Sequence, residues 1–370
     1  MSDVASSKIL MTADAVGGVW TYCLQLAAGF AEEGIEVILA NMGPLPSTQQ
    51  LADAALLDNV HLVTNAFALE WMDEPWRQVD EAGDWLLRLE NQYQPDLIHL
   101  NGFVHASLPW QAPVVVVAHS CVWSWWRAVK GGNAPKKYAE YRRRVTRGLQ
   151  LADMVVAPTE AMMNALTHEY GSLPNERVIY NGRSSHRLHT TSKEALIFSA
   201  GRIADEAKNL LLLNEIAPSL RWPVAVAGNA PSPKVGANAF KHLYLAGQLS
   251  EKGMASYLGR ASIYAAPALY EPFGLAILEA AMSGCALVLS DIPSLRELWE
   301  GAAVFVPADS PAAWEVALNS LIKDQPRREG MGLLAFRRAQ KFSAEDMVQG
   351  YLAAYEELLA VPQLQESVLL

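Results

Sequence analysis

Four consecutive valines, Val114 to Val117, run into Ala118 and then His119. A β-branched run without a polar break cannot serve a sheet that has one wet face. It must be buried on both faces, as in a parallel sheet covered by helices. Comparable apolar runs lie at residues 8–12, 36–41, 97–101, 154–157 and 177–180, and again at 195–200, 224–227, 262–266, 286–289 and 303–306. Helical periodicity fills several of the intervals, over 19–33, from 159, over 208–220 and over 274–283. Strands alternating with helices predict an α/β chain with parallel sheets. The polar stretch 182–193 loses the pattern and reads as a linker, after which the pattern restarts. Beyond residue 306 only helices are expected, at 311–323, 326–340 and 344–359. Two successive α/β units suit a length of 370 residues.

Composition narrows the function. Hydrophobic residues make up 51% and charged residues 18%, which supports sizeable cores. The net charge of −10 argues against nucleic acid as a partner. Three widely spaced cysteines, Cys23, Cys121 and Cys285, form neither a disulfide framework nor a zinc motif, and they suit a reducing compartment. No signal peptide is visible, and no apolar run approaches the roughly 20 residues of a membrane span. A cytoplasmic protein is expected.

Doubly wound sheets bind ligands beyond the carboxyl ends of their strands. The unusual chemistry of this chain lies there: Gly17 and Gly18, Asn101, His119, Gly201 and Arg202, Gly228, and the segment 269–280. That segment reads Leu-Tyr-Glu-Pro-Phe-Gly-Leu-Ala-Ile-Leu-Glu-Ala, with Glu271 and Glu279 separated by seven residues. Phe273, Gly274 and Leu275 open a helix, whose free N–H groups and positive dipole end suit a diphosphate. Gly274 lets phosphate approach the backbone. Glu279 can accept hydrogen bonds from ribose hydroxyls and Glu271 from sugar hydroxyls; the bland alternative is a capped helix with two solvated glutamates. Arg202 and Lys208 would stabilise the charge growing on a leaving diphosphate, Arg through paired N–H bonds and Lys as a point charge. A plain exposed basic pair is the competing reading.

The 269–280 segment resembles the signature of the family 4 (group 1) retaining glycosyltransferases of the GT-B fold. The rest of the chain follows that family's order: Gly17-Gly18-Val19, then residues 153–159 and Asn181-Gly182, then Gly201-Arg202 with Lys208-Asn209, Gly228, and residues 290–294 and 302–307. The resemblance implies two Rossmann-like domains whose parallel sheets face each other across a cleft. Residues 1–185 would form an acceptor domain, rejoined by the C-terminal helix (about 344–370), and 186–343 a nucleotide-sugar donor domain. It implies transfer of a hexose-type sugar from a UDP-sugar or GDP-sugar with retention. Arg202, Lys208, Glu271 and His119 are the catalytic candidates. Gly17, Gly18, Gly201, Asn209, Phe273, Gly274, Leu275 and Glu279 are the donor-binding candidates. No Asp-x-Asp motif is present, and GT-B enzymes generally replace a metal with Arg, Lys and helix dipoles. No cofactor and no essential metal are therefore expected. A nucleotide-sugar epimerase of the same fold and a non-catalytic nucleotide-sugar binding subunit are the alternatives; a phosphorylase would need a pyridoxal cofactor whose lysine context is missing.

His119 can touch the transferred sugar or serve as a structural strand-end histidine; His99 and His105 are weaker candidates. The segment 121–150 combines Trp123, Trp125 and Trp126 with Arg127, Lys130, Lys136, Lys137, Arg142, Arg143, Arg144 and Arg147. Three readings stay open for it: contact with a sugar, glycolipid or small-molecule acceptor through Trp123, Trp125, Trp126 and Arg127; peripheral docking at the inner membrane surface; or a packed loop followed by a helix with a solvated basic face. Trp71, Trp76 and Trp85 are expected to pack helices, and Asp80, Glu81 and Asp84 to form a solvated face. The donor base would be read near 245–250.

Overall fold

The computed structural model describes residues 7–184, 192–229 and 237–360. In the first half the elements are β1 (Lys8–Asp14), α1 (Gly18–Glu32), β2 (Glu36–Met42), α2 (Thr48–Ala54), β3 (Val60–Thr64), α3 (Trp76–Tyr93), β4 (Leu97–Leu100), β5 (Val114–Val117), α4 (Val122–Lys130), α5 (Ala139–Leu151), β6 (Met154–Ala157), α6 (Glu160–Tyr170) and β7 (Glu176–Val178). In the second they are β8 (Glu194–Ala200), α7 (Leu210–Ile216), β9 (Val224–Ala227), β10 (Tyr244–Gly247), α8 (Glu251–Arg260), β11 (Ala261–Ala266), α9 (Leu275–Met282), β12 (Ala286–Ser290), α10 (Pro293–Trp299), β13 (Ala303–Val306), α11 (Pro311–Lys323), α12 (Gln325–Ala339) and α13 (Ala344–Leu359). Most of the expected linker, and the expected boundary at 185/186, fall outside the described residues.

Seven strands form one sheet in the order β3-β2-β1-β4-β5-β6-β7, and six form the other in the order β10-β9-β8-β11-β12-β13. Every pairing between these strands is parallel. The order reverses beside β1 in the first sheet and beside β8 in the second, which opens a crevice at each strand-end switch point.

The valine run behaves as its composition demands. Val114 and Val116 belong to a core with Leu86, Leu89, Val145 and Leu166 from α3, α5 and α6. Val115 and Val117 belong to the opposite core, with Leu26 and Phe30 of α1 and Tyr351 and Tyr355 of α13. Burying such a side chain contributes about 1.5–3 kcal/mol. The C-terminal helix is thus part of the first unit's core. It lies so close to α1 that a Cβ on Gly29 would sit 2.3 Å from Val348 Cγ2. His99 Nδ1 and the Tyr355 hydroxyl are 2.5 Å apart, which ties β4 to α13.

Strands β3 and β10 are absent from the sequence reading. Both are edge strands, only partly buried, so neither carries a continuous apolar run. The tryptophan reading also needs a correction. Trp85 packs in the core beside Phe67, and Trp76 lies under Arg144. Trp71 does not pack a helix: it is 43% exposed.

Candidate active site

The carboxyl ends of the two sheets border a cleft of about 790 Å³. The first wall is built from the ends of β1, β4 and β5, and the second from the ends of β8, β9 and β11 with the start of α9.

On the first wall Gly17 caps α1 with extended backbone, φ −157°. A Cβ there would meet nothing within 4 Å, and one on Gly18 would lie 3.5 Å from Leu275 Cδ1 in the opposite unit. The bare loop therefore faces the helix start across the cleft. His119, at the end of β5, places Nε2 2.7 Å from Asn101 Oδ1. Asn101 is held by its own amide, which donates to the Thr12 carbonyl. Its Oδ1 is therefore the acceptor, and His119 Nε2 carries the proton. Burial lowers the His119 pKa to about 4, so the ring is neutral near pH 7 with Nδ1 unprotonated.

On the second wall Lys208 Nζ lies 2.5 Å from Glu271 Oε2, with both side chains about four-fifths buried, at 22% and 16% exposure. Arg202 reaches Asp205 at 2.6 Å. Burial opposes ionisation of Asp205, but Arg202 and the Ala207 N–H overcome it and hold the carboxyl below its usual range. Gly274 opens α9 at φ +87°, where a Cβ would lie 2.7 Å from Ile277 Cδ1. Gly201 is pressed against the Lys208 stem, whose Cδ and Cγ lie 3.1 Å from where its Cβ would be. Phe273 is buried edge-on against Phe342.

The structure brings Gly17, Gly18, His119, Gly201, Arg202, Lys208, Glu271, Phe273, Gly274 and Leu275 to one cleft, with Trp125 and Trp126. Four other candidates lie off it. Asn209 uses its amide to bind the Pro267 and Ala308 carbonyls, a bracing role between loops. Glu279 is paired with Arg183 at 2.8 Å, with 13% of its side chain exposed. Trp123 is buried under Arg142, and Arg127 is turned to Glu169 at 2.5 Å. Of the weaker histidine candidates, His99 is a core residue between Tyr22 and Tyr355, and burial takes its pKa to about 3. His105 borders the cleft and donates from Nε2 to the Val79 carbonyl at 2.9 Å. Gln248 and Leu249 line the cleft within the stretch expected to read the base.

Two cleft residues escaped the sequence reading, and a third, Tyr270 of the 269–280 segment, carries a contact that reading did not foresee. Asp14 stands at the end of β1, and its Oδ1 accepts from Val16 N at 2.9 Å. Its strand-end position was the available signal, overshadowed by the adjacent glycines. Glu70 accepts from Phe103 N at 3.2 Å and Val104 N at 3.0 Å. Burial raises its pKa to about 7 against the pull of those two N–H groups. Tyr270 crosses the interface, its hydroxyl 2.8 Å from Ser124 Oγ. No local pattern marks Glu70, and the motif that contains Tyr270 does not disclose its partner, because only the tertiary fold brings Ser124 to it.

Arg202 and Lys208, each paired with a carboxylate of the same wall, stand with the N-terminus of α9 opposite a side-chain-free loop. That arrangement suits a bound diphosphate and can stabilise negative charge as it develops. Among the described residues, no group of three or more His, Cys, Asp or Glu side chains converges as a metal site would require.

Comparison with known proteins agrees with the fold. The family described as Glycosyltransferase Family 4 matches residues 16–187, and the one described as Glycosyl transferases group 1 matches residues 194–324. A D-inositol 3-phosphate glycosyltransferase of Kineococcus radiotolerans is 25% identical, covering 94% of this chain and 93% of that protein. Among solved structures, sucrose-phosphate synthase from Thermosynechococcus elongatus superposes with a TM-score of 0.80 at 16% identity, covering 96% of this chain and 99% of that one. HepE of Anabaena, solved with UDP-glucose, gives a TM-score of 0.75 at 16% identity, covering 95% and 100%.

Proposed function

Because the chain belongs to the family 4, group 1 glycosyltransferases and has their two-domain GT-B fold, we propose that it moves a hexose-type sugar from a UDP-sugar or GDP-sugar to a sugar-type acceptor, with retention and without an essential metal. One observation carries the donor assignment: Lys208 and Glu271, held together at 2.5 Å, sit beside the start of α9 and opposite the Gly17–Gly18 loop. The Anabaena HepE structure named for its UDP-glucose complex supports a donor of this class.

In this reading the donor diphosphate lies against the N-terminus of α9 and draws Lys208 and Arg202 to its oxygens. Glu271, relieved of Lys208, accepts from a sugar hydroxyl. The neutral His119 offers Nδ1 as a second acceptor. The bond from the anomeric carbon to the phosphate oxygen breaks while the acceptor oxygen bonds to that carbon on the same face. The acceptor proton passes to the departing phosphate, so no carboxylate nucleophile is required. Lys208, Arg202 and the helix dipole carry the charge that a divalent metal would otherwise neutralise. Closure of the two domains would exclude water from the activated sugar. Among the described residues no helix is long and apolar enough to cross a membrane; a cytoplasmic reaction is part of the proposal.

The test is a thermal-shift panel of UDP, GDP, ADP and their common sugar conjugates, with and without magnesium. A ligand at a hundredfold its Kd adds about 2.7 kcal/mol to stability. The expected result is one selective nucleotide shift of several degrees, unchanged by magnesium. A flat panel would overturn the donor assignment, and a shift that requires magnesium would overturn metal independence.

A further inference from the structure

The cations of the cleft stand on one domain, each paired with a carboxylate of the same wall, Arg202 with Asp205 and Lys208 with Glu271. Every lysine and arginine among its described lining residues, Arg202 and Lys208, belongs to the second wall. The first wall carries Asp14, Glu70, His105 and His119 as its ionisable acids and imidazoles, and no described cation. Both histidines have their pKa values lowered by burial, so they add no positive charge at neutral pH.

No cation of the basic segment that the sequence offers as an anion site lines the cleft, and most are paired elsewhere. Arg127 is bound to Glu169, and Lys130 to Glu206. Arg144 holds both Asp80 and Glu140, and Arg143 also takes Glu140. Lys137 pairs with Asp73 at 3.1 Å, and Arg142 donates to the Glu169 carbonyl while lying over Trp123. Trp125 donates from Nε1 to Asp205 across the cleft at 3.2 Å, and Trp126 packs on Tyr138.

Resting on the transferase reading, we propose that the acceptor is an uncharged polyhydroxyl compound, a sugar or polyol without phosphate, recognised by the carboxylates of Glu70 and Asp14. A hydroxyl donates to a carboxyl group, whereas a phosphate beside Glu70 would find no first-wall cation among the described residues to pair it; Arg202 of the second wall acts on Asp14. Glu70 is built for a fixed contact. Its carboxylate is pinned by the Phe103 and Val104 N–H groups, and the space beside Gly102 would bring a Cβ to 3.4 Å from Oε2. Trp71, Trp125 and Trp126 supply apolar faces on the same cleft for the C–H faces of a ring.

The experiment uses the full chain in two stages. The nucleotide shift described above comes first and tests the transferase reading alone; without it that reading fails, independently of the acceptor. With a donor identified, release of the nucleoside diphosphate is measured with matched pairs: glucose and glucose 6-phosphate, myo-inositol and inositol 3-phosphate, fructose and fructose 6-phosphate. The neutral member is expected to exceed its phosphate at least tenfold in kcat/KM. Glu70→Gln should lower kcat/KM for the neutral compound at least tenfold, and Glu70→Lys should narrow or invert the preference. Preference for a phosphorylated member would overturn the proposal. So would binding of glucose 6-phosphate or inorganic phosphate to the nucleotide-saturated protein by calorimetry, or an unchanged preference in Glu70→Lys.

Discussion

The hydroxyl of Tyr270, from the second domain, lies 2.8 Å from Ser124 Oγ in the first and 3.2 Å from Cys121 N. Glu271 is the next residue, so the carboxylate expected to touch the sugar is placed by a neighbour docked in the opposite domain. Thr159 Oγ1 donates to the Pro272 carbonyl at 3.0 Å, and Glu297 accepts from Glu160 N and Ala161 N at 2.9 Å each. These contacts set the angle between the domains at the cleft.

Tyr270→Phe removes that hydroxyl and leaves Ser124 and Cys121 N without it. Lost hydrogen bonds of this kind cost about 1–3 kcal/mol when a buried partner is orphaned. A fall in kcat of about tenfold or more is expected, with nucleotide affinity changed little. Equal losses in kcat and nucleotide affinity, measured by steady-state rates and calorimetry, would refute a positioning role.

Lys208→Ala and Glu271→Ala are each expected to lower kcat by about a hundredfold or more, the cost of losing one fixed charge-stabilising group. Neither residue lies in a hydrophobic core cluster, so far-ultraviolet circular dichroism should be unchanged. Near wild-type turnover in either variant would remove the pair from the catalytic machinery.

Gly274→Ala places a side chain at φ +87° and 2.7 Å from Ile277 Cδ1. A strained position of this sort costs about 1–3 kcal/mol. The variant should melt several degrees lower and lose nucleotide affinity, because α9 must shift at the point facing the diphosphate. Unchanged nucleotide affinity would show that the helix start is not part of the donor site.

Arg183→Ala leaves Glu279 buried without its partner. Burial already raises the Glu279 carboxyl pKa, and Arg183 opposes that rise. Breaking a buried pair from one side costs about 3–5 kcal/mol. The variant should be destabilised markedly at pH 8 and less at pH 5, where a carboxyl with a raised pKa can protonate. An equal loss at both pH values would point to lost packing instead.

Glu70 and His119 give opposite pH signatures. The folded Glu70 pKa, about 7, lies above its ordinary value of 4.5, so the native state holds extra proton between those values and loses stability as pH rises through them. His119, at about 4, lies below its ordinary 6.5, so the native state loses stability as pH falls through that window. Glu70→Gln should therefore raise the melting temperature at pH 8 and leave it unchanged near pH 4.5. A Tm difference independent of pH would show that Glu70 is not strained by its burial.

The alternation of apolar runs and helices was enough to indicate two parallel α/β units, because a strand such as Val114–Val117 can exist only between two layers of helices. The strand ends also pointed to Arg202, Glu271 and Gly274, since residues there have few structural duties and a backbone turn to make, while Lys208 was marked by the family resemblance. Local sequence could not reveal β3 and β10, whose edge positions ask for no apolar run. It could not distinguish Trp125, on the cleft, from Trp123, beneath Arg142, because both lie in one helix and only its packing sorts them. It also could not show that Arg144 of α5 is paired with the distant Asp80, or that Arg142 is spent on the Glu169 carbonyl. Glu70 takes its environment from Phe103 and Val104, more than thirty residues away. Burial and electrostatic pairing depend on what arrives from elsewhere in the chain, so the charge of the first wall was decided by the tertiary structure.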